Sequence, residues 1–203
     1  MADTLNSNSR PFNLINNYIY LHHVDTFLIL PTYPDTIQDH LQSTFASQNP
    51  LARSAPVFSY SNSGPRNVTI TLNLHRDMMT QINYGTSNME VELGDDYVDT
   101  LIKQLQAIAL PKYASASKMV NPPMVSVRLG NEIYVKGIVN GGIQVTYQLP
   151  ILAATSSLEG DKYAQVTVTF TVSEIDPYDA ETVMLEGSFR GLDRTLERRL
   201  LQS

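Results

Sequence analysis

The 203-residue chain contains no cysteine. This absence excludes disulfide bonds, thiolate metal sites and cysteine nucleophiles together. Charged residues are also scarce, at 17% of the chain, against about 25% in an average globular protein. Two explanations of that scarcity remain open: much of the surface contacts other protein molecules, or the chain is an ordinary neutral β-protein.

Positive charge is in the minority, and the formal net charge is −6. A protein that neutralises nucleic-acid phosphates carries a basic patch or stripe instead. We therefore expect no specific binding of nucleic acid.

Long apolar runs are missing as well. Residues 1–13 are polar, lack the apolar core of a secretory signal and are expected to form a flexible N-terminal arm. The longest aliphatic run nearby, Phe27–Leu30, is far shorter than the ~18 residues of a membrane-spanning helix. These features predict a soluble, non-secreted protein with no membrane contact.

What the chain does contain is alternation of apolar and polar residues with a period of two. The clearest example in the first half is residues 68–74, and the same pattern runs through residues 125–129, 143–149 and 166–172. Such alternation predicts strands that have one face in the core and the other face polar.

The segments between these strands are harder to interpret. Residues 35–50 are compatible with either a short helix or irregular structure, and the Met-rich residues 75–92 are expected to form an exposed loop. Asn140-Gly141-Gly142 is typical of a type I′ hairpin turn, so we expect the chain to reverse direction there.

One helix is predicted in the middle of the chain. An apolar stripe with a period of 3.6 residues runs through residues 98–109. Asp95, Asp96 and Asp99 lie where carboxylates interact favourably with the helix dipole, and Pro111 ends the helix. No other helix is predicted before residue 190.

The predicted fold is therefore mainly β, a barrel or sandwich over residues 14–176 that is flanked by this one helix. Residues 177–203 are predicted to form a linker and a short C-terminal amphipathic helix, with leucine at positions 192, 196 and 200. Two roles for these leucines remain open: an anchor in a groove of a partner, or packing onto the same domain.

Candidate catalytic groups are few. His75-Arg76-Asp77 is similar to the catalytic triplet of protein kinases, but no metal-binding asparagine follows at the required spacing. Asp95 and Asp96 form an acidic pair, which capping of the helix explains sufficiently.

Metal and nucleophile patterns are equally weak. His22 and His23 are adjacent, so on a strand they would point to opposite faces and could not hold one metal ion together. No serine lies in a Gly-x-Ser-x-Gly motif. We therefore expect no enzyme, no catalytic residue, no cofactor and no metal site.

Four blocks of the sequence occur in a characteristic order. They are FLILPTYP (27–34), NPLARSAPVFSY (49–60) followed by NVTITLNLHRD (67–77), the helix at 97–110, and the paired segments 121–150 and 163–176. In this order they resemble the tail-tube-like proteins of contractile phage tails and related injection machines, most strongly the baseplate hub and tube-adaptor proteins, which often carry a C-terminal LysM domain. Pro122, Pro123, Gly130, Gly137 and Tyr147 carry most of this resemblance.

The resemblance implies a structural protein at the junction of tail tube and baseplate, made in the host cytoplasm and located in the virion. Its partners would be other copies, in a ring or partial ring, and other tube or baseplate proteins. DNA would pass through the lumen without being bound specifically. The chain departs from the pattern after Asp176, because no LysM-like module follows.

The residues expected to form assembly contacts come from two segments. Met78, Met79, Tyr84 and Met89 lie in the Met-rich segment, and Leu192, Leu196 and Leu200 lie in the C-terminal helix. The main alternative is a β-sandwich that binds a host surface or glycan, although the chain has no tryptophan and its tyrosines are scattered. An enzyme with a site assembled from distant residues is the third interpretation.

Overall fold

A computed structural model describes residues 17–51, 54–79, 96–113, 120–153, 160–176 and 178–202. Strands dominate these residues, and helices flank them, which confirms the prediction of a mainly β fold. The strands are β1 (Asn17–Leu21), β2 (Thr26–Ile29), β3 (Thr36–His40), β4 (Ser43–Gln48), β5 (Val57–Ser63), β6 (Asn67–His75), β7 (Lys112–Tyr113), β8 (Val120–Asn121), β9 (Val125–Leu129), β10 (Ile133–Leu152) and β11 (Lys162–Glu174). The helices are α1 (Arg76–Met79), α2 (Tyr97–Ala107), α3 (Ala180–Glu186), which a 3₁₀ turn at Gly187–Phe189 follows, and α4 (Arg194–Gln202).

Seven of the strands form one antiparallel sheet in the order β2-β1-β9-β10-β11-β6-β3. Strands β2 and β3 are the two edges of this sheet. Two further pairs, β4 with β5 and β7 with β8, form separate two-stranded sheets. The described strands therefore form one open seven-stranded sheet and two separate two-stranded sheets.

The core lies between one face of the sheet and helix α2. In β6 the apolar residues 68, 70, 72 and 74 are buried and the polar residues between them are half-buried, as the alternation predicts. The apolar stripe of α2 packs on the same cluster. Asp96 caps this helix by accepting a hydrogen bond from the Asp99 backbone N–H, in agreement with the predicted helix start.

The first half of the chain holds more strand than its sequence indicates. Residues 35–50 are neither helical nor irregular, because they contain β3 and β4. Thr36–His40 pairs along its length with β6. This pairing determines the conformation of a segment whose own pattern is ambiguous.

The prediction of a hairpin turn at Asn140-Gly141-Gly142 is wrong. Strand β10 continues through these residues, and its register with β11 shifts between Asn140 and Ile143. Gly141 and Gly142 both have positive φ, at 79° and 81°, so they form a bulge inside a long strand. Because β11 pairs with both halves of β10, the chain reverses after Leu152 instead.

Two short helices were not expected. Residues 75–92 begin with the single turn of α1, and α3 precedes residue 190. The Asp179 side chain caps α3 by accepting a hydrogen bond from the Thr182 backbone N–H at 2.8 Å. Helix α3 has no buried residue, so it lacks the apolar periodicity by which a helix is recognised in a sequence.

Candidate assembly surface

The expected contact residues of the Met-rich segment are only partly described. Met78 and Met79 lie in helix α1, directly after strand β6. Tyr84 and Met89 lie outside the described residues, as does the N-terminal segment 1–13. Their part in assembly stays a prediction.

Leu196 and Leu200 of the C-terminal helix take the second of the two roles that were open. Leu192 is half-buried in the turn before helix α4, so its prediction as a helix residue is wrong. Leu196 and Leu200 are buried, at 6% and 8% exposed, in a cluster with Tyr18, Tyr20 and Phe27. This cluster lies on strands β1 and β2. In the single chain these leucines therefore cover the domain's own sheet, and they are not free to enter a partner's groove.

Polar contacts hold helix α4 at this position. Arg199 donates hydrogen bonds to Asp25 Oδ1 at 2.7 Å and to the Tyr20 hydroxyl at 3.2 Å. Glu197 forms an ion pair with Arg128 of strand β9. The Tyr20 hydroxyl and the Arg199 guanidinium lower the pKa of the Asp25 carboxyl. The C-terminal segment is thus attached to the β domain by side chains on both sides of the helix.

The hairpin of β4 and β5, which we call the arm, lies outside the main sheet. It continues the chain past the paired ends of β3 and β6 at His40 and Asn67, and at its base the Gly64 backbone N–H donates to the Gln42 carbonyl at 3.0 Å. Every residue of both strands is exposed. A hairpin of two strands is at best marginally stable in water without further packing. The arm therefore has the properties of an element that is completed by a partner.

One face of the arm is aromatic. Phe45 lies directly opposite Tyr60 in the register, and Ser47 lies opposite Phe58, so these side chains share a face. The rings of Phe45 and Tyr60 meet edge to face with their centroids 5.6 Å apart. Phe58 is 65% exposed. Large apolar side chains that cluster on an exposed element mark sites of protein interaction.

The strands of the arm also lack protection against edge pairing. Neither STFASQ in β4 nor VFSYSNS in β5 contains a charged residue or a proline. Natural proteins commonly place lysine, proline or other charged residues on exposed edges to prevent association. The arm leaves its edges open to association. The absence of charge and proline can be seen in the sequence, but it indicates an unprotected edge only once the segment is known to be strand.

A buried ion-pair network fixes the base of the arm. Arg66, only 2% exposed, donates from Nε and Nη2 to the Asp39 carboxylate at 2.8 and 2.7 Å. Its Nη1 donates to the Tyr134 carbonyl at 3.1 Å and lies 3.6 Å from Glu174. Burial would lower the pKa of Arg66, but hydrogen bonds and charge from Asp39 and Glu174 raise it.

The same network connects the arm to the C-terminal segment. Arg190 donates to Glu174 at 2.8 Å, and its guanidinium lies over the ring of Tyr178, 5.3 Å from the centroid. Asp39 and Arg66 flank the arm, and Glu174 ends strand β11. The start of the arm is therefore held rigidly against the segment that carries α3.

Beside this network lies a groove of about 570 Å³ between the base of the arm and helix α3. The paired side chains of Arg66, Glu174 and Arg190 are part of its lining. Its apolar lining consists of Leu41, Pro65, Ile175, Val183 and Met184, and its acidic rim consists of Asp176 and Asp179. Met184 is 87% exposed, so the apolar lining is open to solvent.

A second projection is the far end of the β10–β11 hairpin. Tyr147, Leu149, Ile151 and Tyr163 are all large, apolar or aromatic, and 42–71% exposed. The rings of Tyr147 and Tyr163 lie 5.9 Å apart. These residues form a second exposed apolar cluster, at the opposite end of β11 from the arm.

Arg76 and Asp96, which were considered for catalysis, have structural partners, and Asp95 lies outside the described residues. Arg76 of the kinase-like triplet forms ion pairs with Asp96 and Asp99, and Lys162 donates to Asp99 at 2.8 Å. Burial raises the pKa of Asp99, but Arg76 and Lys162 outweigh it and lower that pKa to about 2. These charges join α2 to the ends of β6 and β11.

The two adjacent histidines lie in the turn after β1. His22 Nε2 is 2.8 Å from the Ser126 hydroxyl, and Ser126 is fully buried. No cluster of three metal-ligating side chains occurs in the described ranges. In those same ranges, no helix combines the length and the apolar character that crossing a bilayer requires.

Comparisons with known proteins do not assign the chain to a family. No protein-family model matches the chain, and no curated protein matches it.

Proposed function

We propose that the chain is a structural subunit of a contractile phage tail or a related injection machine, located at the junction of tail tube and baseplate hub. It acts by assembling with other copies into a ring or partial ring and by contacting neighbouring tube and baseplate proteins. In this role it is a component of the virion and performs no catalysis.

The observation that carries this proposal is the arm. Its strands are exposed along their whole length, uncharged and aromatic on one face. A strand pair of this kind extends the sheet of a neighbour through backbone hydrogen bonds, while its aromatic side chains supply apolar contact. The open main sheet offers β2 and β3 as edges for such an extension.

The scarcity of charge supports the same conclusion. Of the two explanations for the low charged fraction, the exposed apolar surface on the arm and on the β10–β11 hairpin favours contact with other protein molecules. Isolated apolar residues on a surface are ordinary, but clusters on projecting hairpins are not.

The test is reconstitution. The purified chain would be imaged by electron microscopy and weighed by native mass spectrometry over a range of concentrations, alone and with isolated tail tube and baseplate particles. We expect rings or partial rings, or incorporation into the particles. A chain that stays monomeric and ignores the particles would contradict the proposal.

A second candidate function is binding of a host-surface glycan. The pair of exposed tyrosines, Tyr147 and Tyr163, favours it, because aromatic faces stack on sugar rings. A glycan-binding assay with the wild type and with Tyr147→Ala separates the two functions. Glycan binding that is lost in this variant, together with a monomeric state, would replace the assembly proposal.

A further inference from the structure

The groove beside α3 has an apolar lining that nothing in the described part of the chain covers. Leu41 is 57% exposed, Ile175 43% and Met184 87%. Its rim is acidic, since Asp176 and Asp179 line it and residues 176–186 contain four acidic side chains and no lysine or arginine. A partner that fits this groove is apolar and does not carry negative charge.

The arm has the complementary properties. Its strands present Phe45, Phe58 and Tyr60 on one face and contain no acidic residue. In the sequence between the two strands the only charged residue is Arg53, so the arm as a whole carries one positive charge. Apolar surface and charge both match the groove.

The arm does not fill the groove of its own copy. Ser63 and Gly64, at the base of the arm, line the groove, but the strand residues beyond them remain exposed. Six residues of strand extend about 20 Å from this base, and the ion pair between buried Arg66 and exposed Asp39 holds the base in place. An arm that enters such a groove therefore belongs to a second copy.

We propose that the groove between the arm base and helix α3 receives the arm of a neighbouring copy of this chain. This inference rests on the proposed function and identifies the surface that receives the arm. The contact is heterologous, because the arm and the groove are different surfaces of one chain. Repeated contacts of this kind close into a ring or continue as a filament.

The experiment uses one variant of each surface. Phe58→Asp places a negative charge on the arm, opposite an acidic rim, and Met184→Lys removes apolar lining and adds a positive charge that repels the arm. Both side chains are largely exposed, so we expect the unfolding midpoints to stay at the wild-type value. Leu110→Lys is the matched control, since Leu110 is 62% exposed and belongs to neither surface.

Native mass spectrometry and sedimentation would then be measured for each protein and for mixtures. We expect the wild type and the control to form oligomers, and each surface variant to self-associate at least ten-fold more weakly. An equimolar mixture of the two variants retains one intact arm and one intact groove. It should therefore form dimers that contain one copy of each variant, and nothing larger.

Other results would overturn the inference. Met184→Lys that assembles like the wild type would show that the arm binds elsewhere, and so would a mixture in which both variants stay monomeric. If Met184→Lys assembles like the wild type and also joins tube or baseplate particles, the groove inference fails while the proposed function stands. A wild type that neither self-associates nor joins the particles would overturn both.

Discussion

Phe45 and Tyr60 face each other across the two strands of the arm, with their rings edge to face and 5.6 Å between centroids. Both side chains are more than half exposed. Aromatic pairs of this geometry contribute about 0.5–1.5 kcal/mol beyond their burial. The chain thus holds an ordered aromatic pair in a position where its own core gains nothing from it, which is the arrangement expected of a contact surface.

We expect Phe45→Ser and Tyr60→Ser to separate stability from assembly. Each should change the free energy of unfolding of the monomer by at most about 1.5 kcal/mol, the contribution of the aromatic pair, because the side chains are exposed, and each should weaken self-association. Urea unfolding and sedimentation measure the two effects. Phe170→Ala is the contrasting variant: Phe170 is 2% exposed, and its truncation should cost about 3–5 kcal/mol. An arm variant that destabilises the monomer to that extent would show that the arm packs on its own domain.

Truncation of the leucines in α4 should destabilise the domain. Leu196→Ala and Leu200→Ala each remove a side chain that covers Tyr18, Tyr20 and Phe27, and we expect a loss of about 2 kcal/mol for each. Arg198→Ala is the control, because Arg198 is exposed on the same helix. Thermal unfolding decides between the two roles of the leucines. A melting temperature that both leucine variants leave unchanged would mean that α4 does not pack on this domain in solution.

Gly137 should tolerate no side chain. A Cβ at this position would lie 2.0 Å from the carbonyl oxygen of Ser173 on the neighbouring strand. Gly137→Ala must therefore displace backbone in the middle of the sheet, and we expect several kcal/mol of destabilisation. Gly160→Ala is the matched control, since a Cβ there meets nothing within 4 Å. Equal urea midpoints for the two variants would contradict the close approach of β10 and β11.

The ion pairs of Asp99 should make the free energy of unfolding depend on pH in the acidic range. The pKa of Asp99 falls from its ordinary 3.8 to about 2 in the folded chain, so the unfolded chain binds more protons between these two pH values. The stabilisation is complete above about pH 4 and is lost as the pH falls toward 2.

Asp99→Asn tests this dependence. At pH 7 we expect it to lower the free energy of unfolding by on the order of 2 kcal/mol, and the difference from the wild type should be small at pH 2 and vanish below it. Glu181→Gln, at an exposed position of α3, serves as the control and should track the wild type throughout. A deficit of Asp99→Asn that persists unchanged to pH 2 would assign its effect to packing instead of charge.

Part of the fold is determined by local sequence patterns. The alternation in residues 68–74 and the stripe in residues 98–109 were interpreted correctly because each follows the period of its own element and is buried on one side. Asp96 was likewise predictable, because a helix start needs a side-chain acceptor for its free N–H groups. For these segments the nearest neighbours in sequence suffice to specify the structure.

Other features depend on partners that are remote in sequence. Gly141-Gly142 would have suited a turn, but strand β11 pairs with residues on both sides and makes them a bulge. Residues 36–40 have no clear pattern and become strand by pairing with β6. The buried network of Arg66 joins residues that are up to 108 positions apart, as the numbers of Arg66 and Glu174 show. No local period encodes such contacts.

The candidate assembly surface likewise combines features that local patterns predict with features that depend on remote contacts. The leucine spacing was sufficient to predict an amphipathic helix, although Leu192 lies before its first residue, Arg194. It did not show what the apolar face covers, because a helix packs equally well on its own domain or on another. Whether residues 43–63 form an exposed arm or part of the core is likewise not a local property. Their exposure follows from the position of β4 and β5 past the end of the β3–β6 pair and outside the main sheet, and that position depends on the long-range pairing of β3 with β6.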